Sequence, residues 1–134
     1  TWTDITNTTT SQTYSNIITT TRYRAVVVNT ACTAYSAAAV ITVNALSNGG
    51  SAPDQTICSG STPANVTLSG VVGTVTRWER STDIAFPANR TTLITNTTTT
   101  LAGSAIGALT ANLYVRALVQ NSPCAAVYSS IVTI

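Results

Sequence analysis

The chain contains no lysine, no histidine and no methionine, and only 7% of its 134 residues are charged. Each absence removes a class of chemistry. Without histidine there is no side chain whose ordinary pKa lies near neutrality, so the usual general base and the usual activator of a nucleophile are both lacking. Six arginines against four acids leave a net charge of +2, scattered along the chain. No basic stripe forms of the kind that holds a phosphate backbone, so nucleic acid is not expected as a partner. No apolar run approaches the roughly 18 residues that cross a bilayer, and Thr1 does not open a charged-then-apolar signal, so no membrane span is expected. The four acids, Asp4, Asp54, Glu79 and Asp83, stand well apart. Glu79 and Asp83 are the nearest candidate pair, but they sit in neither a calcium loop nor a Gly-rich phosphate loop. The sequence therefore assigns no catalytic residue, no metal site and no cofactor, and an enzyme is not expected.

Threonine makes up about a fifth of the chain, and 44% of the residues are apolar. Threonine, valine, isoleucine and tyrosine fit a pleated, half-buried surface and are poor helix formers, so the bias is towards β-structure. Turn-bounded apolar runs at 55–58, 65–69, 73–80, 91–94, 98–101, 113–120 and 127–134 have the number and spacing of a β-sandwich. Alternation in the run 113–120 sends Leu113, Val115, Ala117 and Val119 to the core and Arg116 outward. Trp78 reads as a core tryptophan. Residues 101–110 are the one long helical candidate, but Gly103 and Gly107 cost about 1 kcal/mol each against alanine, which favours a loop and strand edge.

An internal repeat organises these strands. Ile5-Thr-Asn-Thr-Thr-Thr10 recurs unchanged as Ile94-Thr-Asn-Thr-Thr-Thr99. Arg24-Ala25-Val26-Val27 matches Arg116-Ala117-Leu118-Val119, Cys32 matches Cys124, and Ile41-Thr42-Val43 matches Val132-Thr133-Ile134. Trp2 pairs better with Phe86 than with Trp78, because the latter needs a long insertion before Ile94. Residues 1–43 then read as the C-terminal half of one repeat, 44–53, with Asn-Gly-Gly and Ser-Ala-Pro, as a linker, and 54–134 as a complete repeat. A half-repeat lacks the strands that cover its apolar face. Either upstream sequence or a neighbouring chain that donates strands would complete it.

Cys58 in the first run and Cys124 after the run 113–120 are expected to form a disulfide that closes nearly the whole repeat, contributing roughly 4 kcal/mol. Cys32, the positional equivalent of Cys124, would pair with a cysteine outside this chain. Asn7, Asn65, Asn89 and Asn96 head Asn-X-Ser/Thr triplets and are formal glycosylation acceptors, although a chain so rich in Asn and Thr produces such triplets by chance.

The segments Ile57-Cys58-Ser59-Gly60-Ser61-Thr62-Pro63, Trp78-Glu-Arg-Ser-Thr-Asp83, Tyr23-Arg-Ala-Val-Val27 and Cys32 followed by Tyr35-Ser36 resemble the immunoglobulin-like repeats of giant Bacteroidetes surface proteins, including gliding-motility adhesins of the SprB type. The resemblance spans the whole chain, and its motifs are moderately specific for the repeat class. It departs at Phe86, where such repeats usually carry tryptophan. It implies tandem immunoglobulin-like sandwiches with two cysteines per repeat, exported by type IX secretion and displayed at the cell surface. The expected function is a rigid spacer in an adhesin or filament serving adhesion or gliding motility, with adjacent repeats or identical chains as partners. The alternatives are a glycan- or surface-binding module and a filament subunit completed by donated strands.

Overall fold

The computed structural model describes all residues from Thr1 to Ile134. The chain is all-β and sandwich-like, as the composition predicts, and divides into two compact units, Thr1–Val43 and Asn44–Ile134.

Unit 2 contains β5 (Val66–Thr67), β6 (Thr74–Ser81), β7 (Thr91–Ile94), β8 (Thr100–Leu101), a single helical turn α1 (Gly103–Ile106), β9 (Tyr114–Gln120), β10 (Val127–Tyr128) and β11 (Val132–Thr133). Its main sheet runs antiparallel in the order β10-β9-β6-β7, with β11 also on β9. β5 and β8 pair in a second, smaller sheet. Val66, Leu68 and Leu101 from that side meet Val75, Trp78, Val115, Ala117, Val119 and Val132 from the main sheet in one core. Trp78, Val115, Ala117 and Val119 are fully buried, and the indole N–H of Trp78 donates to the Thr98 carbonyl at 3.0 Å, so its polar atom is satisfied as the ring packs.

Three expectations change. Residues 55–58 form no strand; Gln55 instead braces the chain by bonding the backbone of Ala64 with its side chain and the Thr133 carbonyl with its amide. The run 127–134 is two strands, because Ser129 breaks it by turning its hydroxyl onto the backbone. Residues 101–110 contain the short helix α1, placed where Gly103 comes so close to the backbone of Pro63 that a side chain there would overlap it.

Residues 44–53 are not a linker. Asn48 bridges to Val72 and Ser51 to Ser69. The Asn121 amide donates to Ser47 Oγ and its side chain to the Ala45 carbonyl, both at 2.8 Å. A Cβ on Gly49 would lie 2.3 Å from the Tyr128 carbonyl oxygen, so the chain passes there only because it has no side chain. The Gly-Gly pair that signals a loop in sequence is a site of close packing.

Unit 1 contains β1 (Thr21–Tyr23), β2 (Val26–Asn29), β3 (Cys32–Tyr35) and β4 (Ala39–Ile41). β1 pairs only with β4, and β2 only with β3. No residue of this unit is buried: Trp2, Val27, Tyr35 and Val40 are all about half-exposed or more.

Candidate functional site

The repeat is carried by three constructions that occur in both units. The first is a turn. In unit 2 the Asn96 side-chain oxygen accepts from the Thr98 amide and hydroxyl at 2.7 and 2.9 Å, and its amide donates to the Thr100 carbonyl. In unit 1 Asn7 does the same with Thr9 and Ser11. Asparagine suits this position because its short amide reproduces a backbone turn.

The second is a serine clasp. Ser129 Oγ accepts the Ala117 amide at 2.9 Å and donates to the Ser130 carbonyl, while the Ser129 amide donates to the Ala117 carbonyl at 2.8 Å. Ser36 repeats every bond with Ala25 and Ala37, at 2.8 to 3.0 Å. The hydroxyl replaces a ladder partner at the point where the strand pauses, so the sheet can break between β10 and β11, and between β3 and β4, without leaving an amide unpaired. This fixes the repeat register. Leu113 exchanges hydrogen bonds with Ile134, and its equivalent Thr21 pairs with Ile41. Ile41 therefore corresponds to Ile134, not to Val132 as the sequence match suggests. The slip is of two residues, so the side chains keep their faces.

The third construction is an arginine held between two aromatic rings. On the outer face of β9 the Arg116 guanidinium lies 4.0 Å from the Phe86 ring centre and 3.7 Å from that of Tyr128. Arg24 lies 4.2 Å from both Trp2 and Tyr35. Phe86 is thus the counterpart of Trp2, as the smaller insertion favours, and Trp78 belongs to the core. Phe86 sits at φ 51, a left-handed backbone that a bulky residue seldom adopts, and the turn from the Asp83 carbonyl to its amide holds it there.

Unit 2 adds a carboxylate to this clamp. Glu79 stands directly across from Arg116 in the β6/β9 register and is only 3% exposed. Arg116 donates to its Oε2 through Nε at 2.9 Å and Nη2 at 2.8 Å. Arg77 donates to Oε1 through the same pair of nitrogens at 2.9 and 2.8 Å. The Tyr128 hydroxyl reaches Oε1 at 3.2 Å. Burial pushes the Glu79 carboxyl up, but the hydrogen bonds from Arg116 and Arg77 outweigh it and hold the group below its ordinary value of 4.5. The carboxylate is ionised and both its oxygens are occupied. The shallow depression of about 350 Å³ beside it, lined by Phe86, Leu93, Arg116 and Tyr128, offers no free acid or base. The cluster ties β6 to β9 across the sheet face.

Glu79 and Asp83, the nearest acids in sequence, are not brought together. Asp83 turns to Arg90 at 3.4 Å and caps the Ala85 amide. Sequence reasoning missed Glu79 as the centre of the cluster. The available signals were Arg77 two residues away on the same strand and the outward Arg116 with a counterpart in each repeat. No three of the Cys, Asp and Glu side chains gather in one place.

The expected disulfide is corrected. Cys32, Cys58 and Cys124 are all free thiols. Cys58 lies beside Leu109, Thr133 and Ile134, at the start of β9, while Cys124 follows its end, with its thiol on the Ala45 carbonyl. Seven strand residues separate the two ends by about 20 Å, whereas a disulfide needs Cα atoms within about 7 Å. The repeat placed Cys32 and Cys124 correctly relative to each other, since each follows the equivalent strand, but their position excludes Cys58. Of the glycosylation candidates, Asn89 is exposed in a turn. The amides of Asn7 and Asn96 are engaged in the turns above, and Asn65 caps the Gly103 amide at 3.0 Å.

Residues 47–134 match the family model of a domain of unknown function, DUF8696. No curated protein and no solved structure matches the chain.

Proposed function

The chain belongs to the DUF8696 family, and from that premise we propose that it is a structural repeat of a secreted surface adhesin or filament, a spacer whose immunoglobulin-like sandwiches recur in tandem and which catalyses nothing. One observation carries the reading: the turn, the serine clasp and the arginine clamp are rebuilt bond for bond in two units. In each unit the strongest polar interactions join its own strands. A binding module or an enzyme would instead leave polar groups converging on an open cavity. The cavity by residues 55–59 and 109–112, about 320 Å³, has no charged side chain in its lining. A surface tiled with threonine hydroxyls and few charges suits a module that is repeated many times outside the cell. The resemblance to gliding-motility adhesins, with type IX export and attachment at the outer membrane, fits this reading.

The test is protease shaving of intact cells of the source organism followed by peptide mass spectrometry. Peptides of this chain released before lysis, together with peptides from further copies of the repeat, are the expected result. Peptides seen only after lysis would refute surface display. Saturable binding of the purified chain to a glycan array would replace the spacer by the glycan-binding alternative.

A further inference from the structure

Arg24 has the two aromatic rings of the clamp but not its carboxylate. In unit 2 that carboxylate arrives on β6, which pairs with the edge of β9 opposite β10 and β11. In unit 1 the corresponding edge of β1 and β2 has no partner. The same vacancy shows on the inner face. Val27 is 58% exposed whereas its counterpart Val119 is fully buried, and Ala25 is exposed whereas Ala117 is fully buried. In unit 2 β6, β5 and β8 cover these positions through Trp78, Val66 and Leu101. The two halves therefore differ by one absent layer, and unit 2 shows what that layer looks like.

We infer that the open edge and face of unit 1 are a docking site for a β-segment of the same repeat class as residues 44–81, whose strand pairs antiparallel along β1 and β2 with a carboxylate opposite Arg24 and a large apolar side chain opposite Ala25. The register follows from unit 2, where Glu79 faces Arg116 and Trp78 faces Ala117. Two independent features specify this occupant. The charge requirement is a single acid, because Arg24 sits between Trp2 and Tyr35 as Arg116 sits between Phe86 and Tyr128, and Arg116 is met by the one carboxylate of Glu79. The shape requirement is a chain that carries glycine at the position of Gly49, since the Tyr35–Ser36 backbone corresponds to the Tyr128–Ser129 backbone that Gly49 touches. A strand with lysine or arginine opposite Arg24 is excluded by like-charge repulsion. The inference concerns the partner of unit 1 and stands whether or not the full protein is a surface spacer.

The experiment duplicates residues 44–84 directly ahead of Thr1 in the full chain, since Phe86 corresponds to Trp2. Hydrogen exchange then reads the amides of Ala25, Val26 and Val27, with the β9 amides of unit 2 as the internal control for a folded protein. Protection of the unit 1 amides should rise on the order of 100-fold over the unmodified chain as local opening becomes costly, and Trp2 fluorescence should shift to the blue. Glu79→Gln in the duplicated copy alone should return about tenfold of that protection, the loss expected for one charged hydrogen-bonded pair. Unchanged exchange in unit 1 beside a protected β9 would overturn the docking site. Equal protection with Glu or Gln would overturn the acid requirement. Protection already present in the unmodified chain as a monomer in sedimentation would show that the edge needs no added segment and overturn the proposal.

Discussion

Replacing Glu79 by glutamine isolates the interaction on which the outer face of unit 2 depends. The side chain is 3% exposed and accepts four N–H bonds of 2.8 to 2.9 Å from two arginines. Glutamine keeps the size and one acceptor oxygen, which can serve one arginine, but turns an NH₂ group towards the other. Hydrogen bonds to charged groups contribute about 1.5–3 kcal/mol each when one partner is removed. Arg77 is 37% exposed, so water recovers most of its share, while Arg116, at 19% and enclosed by Phe86 and Tyr128, dominates. The expected loss is about 2–3 kcal/mol. In a unit of this size each kcal/mol lowers the melting midpoint by about 4–8 °C, so the midpoint falls by roughly 10–20 °C. The assay is urea unfolding in a Trp2→Phe background, where Trp78 is the sole tryptophan, repeated with Arg116→Gln and with the double variant. A loss below about 0.5 kcal/mol, the range of an exposed ion pair, would refute the reasoning. So would strict additivity of the two substitutions, because contacting partners in one network couple.

The carboxyl of Glu79 is depressed in the folded state, so its stabilisation is complete above its ordinary value of 4.5 and is lost as pH falls through the folded value. Unit 2 should therefore hold a constant urea midpoint from neutrality to about pH 5 and weaken below about pH 4.5, and Glu79→Gln should flatten that acid limb. Ser129→Ala strands the buried amide of Ala117 and should cost about 1–3 kcal/mol, whereas Ser36→Ala, whose hydroxyl is replaced by water, should stay within about 0.5 kcal/mol; equal costs would contradict the exposure of unit 1. Gly103→Ala puts a Cβ 1.9 Å from the Pro63 carbonyl oxygen and should destabilise by on the order of 3 kcal/mol, against about 1 kcal/mol for Gly60→Ala, where φ is +85 but nothing lies nearby. A peptide map of the oxidised protein should contain no Cys58–Cys124 crosslink, and finding one would contradict their placement at opposite ends of β9.

Much of this is legible in the sequence. The alternation Leu113, Val115, Ala117, Val119 announces a strand buried on one face, and the fully buried residues of β9 are the last three of these. The repeated Ile-Thr-Asn-Thr-Thr-Thr string locates a turn built from the asparagine side chain. Other signals misled for identifiable reasons. Asn-Gly-Gly at 48–50 carries the composition of a loop because glycine permits both positive φ and close backbone approach, and Gly49 is there for the second. The two cysteines of unit 2 suggest a staple because Cys58 lies in the first apolar run and Cys124 just after the run 113–120, but which end of a strand a distant segment meets is decided by pairing, not by order.

The sequence by itself determined what local chemistry controls: β-structure from threonine and branched residues, the repeat, the inward and outward faces of β9, and the absence of a histidine base. Only the tertiary structure decided which distant groups meet. Glu79 and Arg116 lie 37 positions apart and become opposite neighbours through the β6/β9 register, and the same folding carries Cys58 and Cys124 away from each other. It also set Arg24 between Trp2 and Tyr35 with no acid paired to it, unlike Arg116. A contact between remote strands is a property of how the sheet is assembled, which no window of sequence contains.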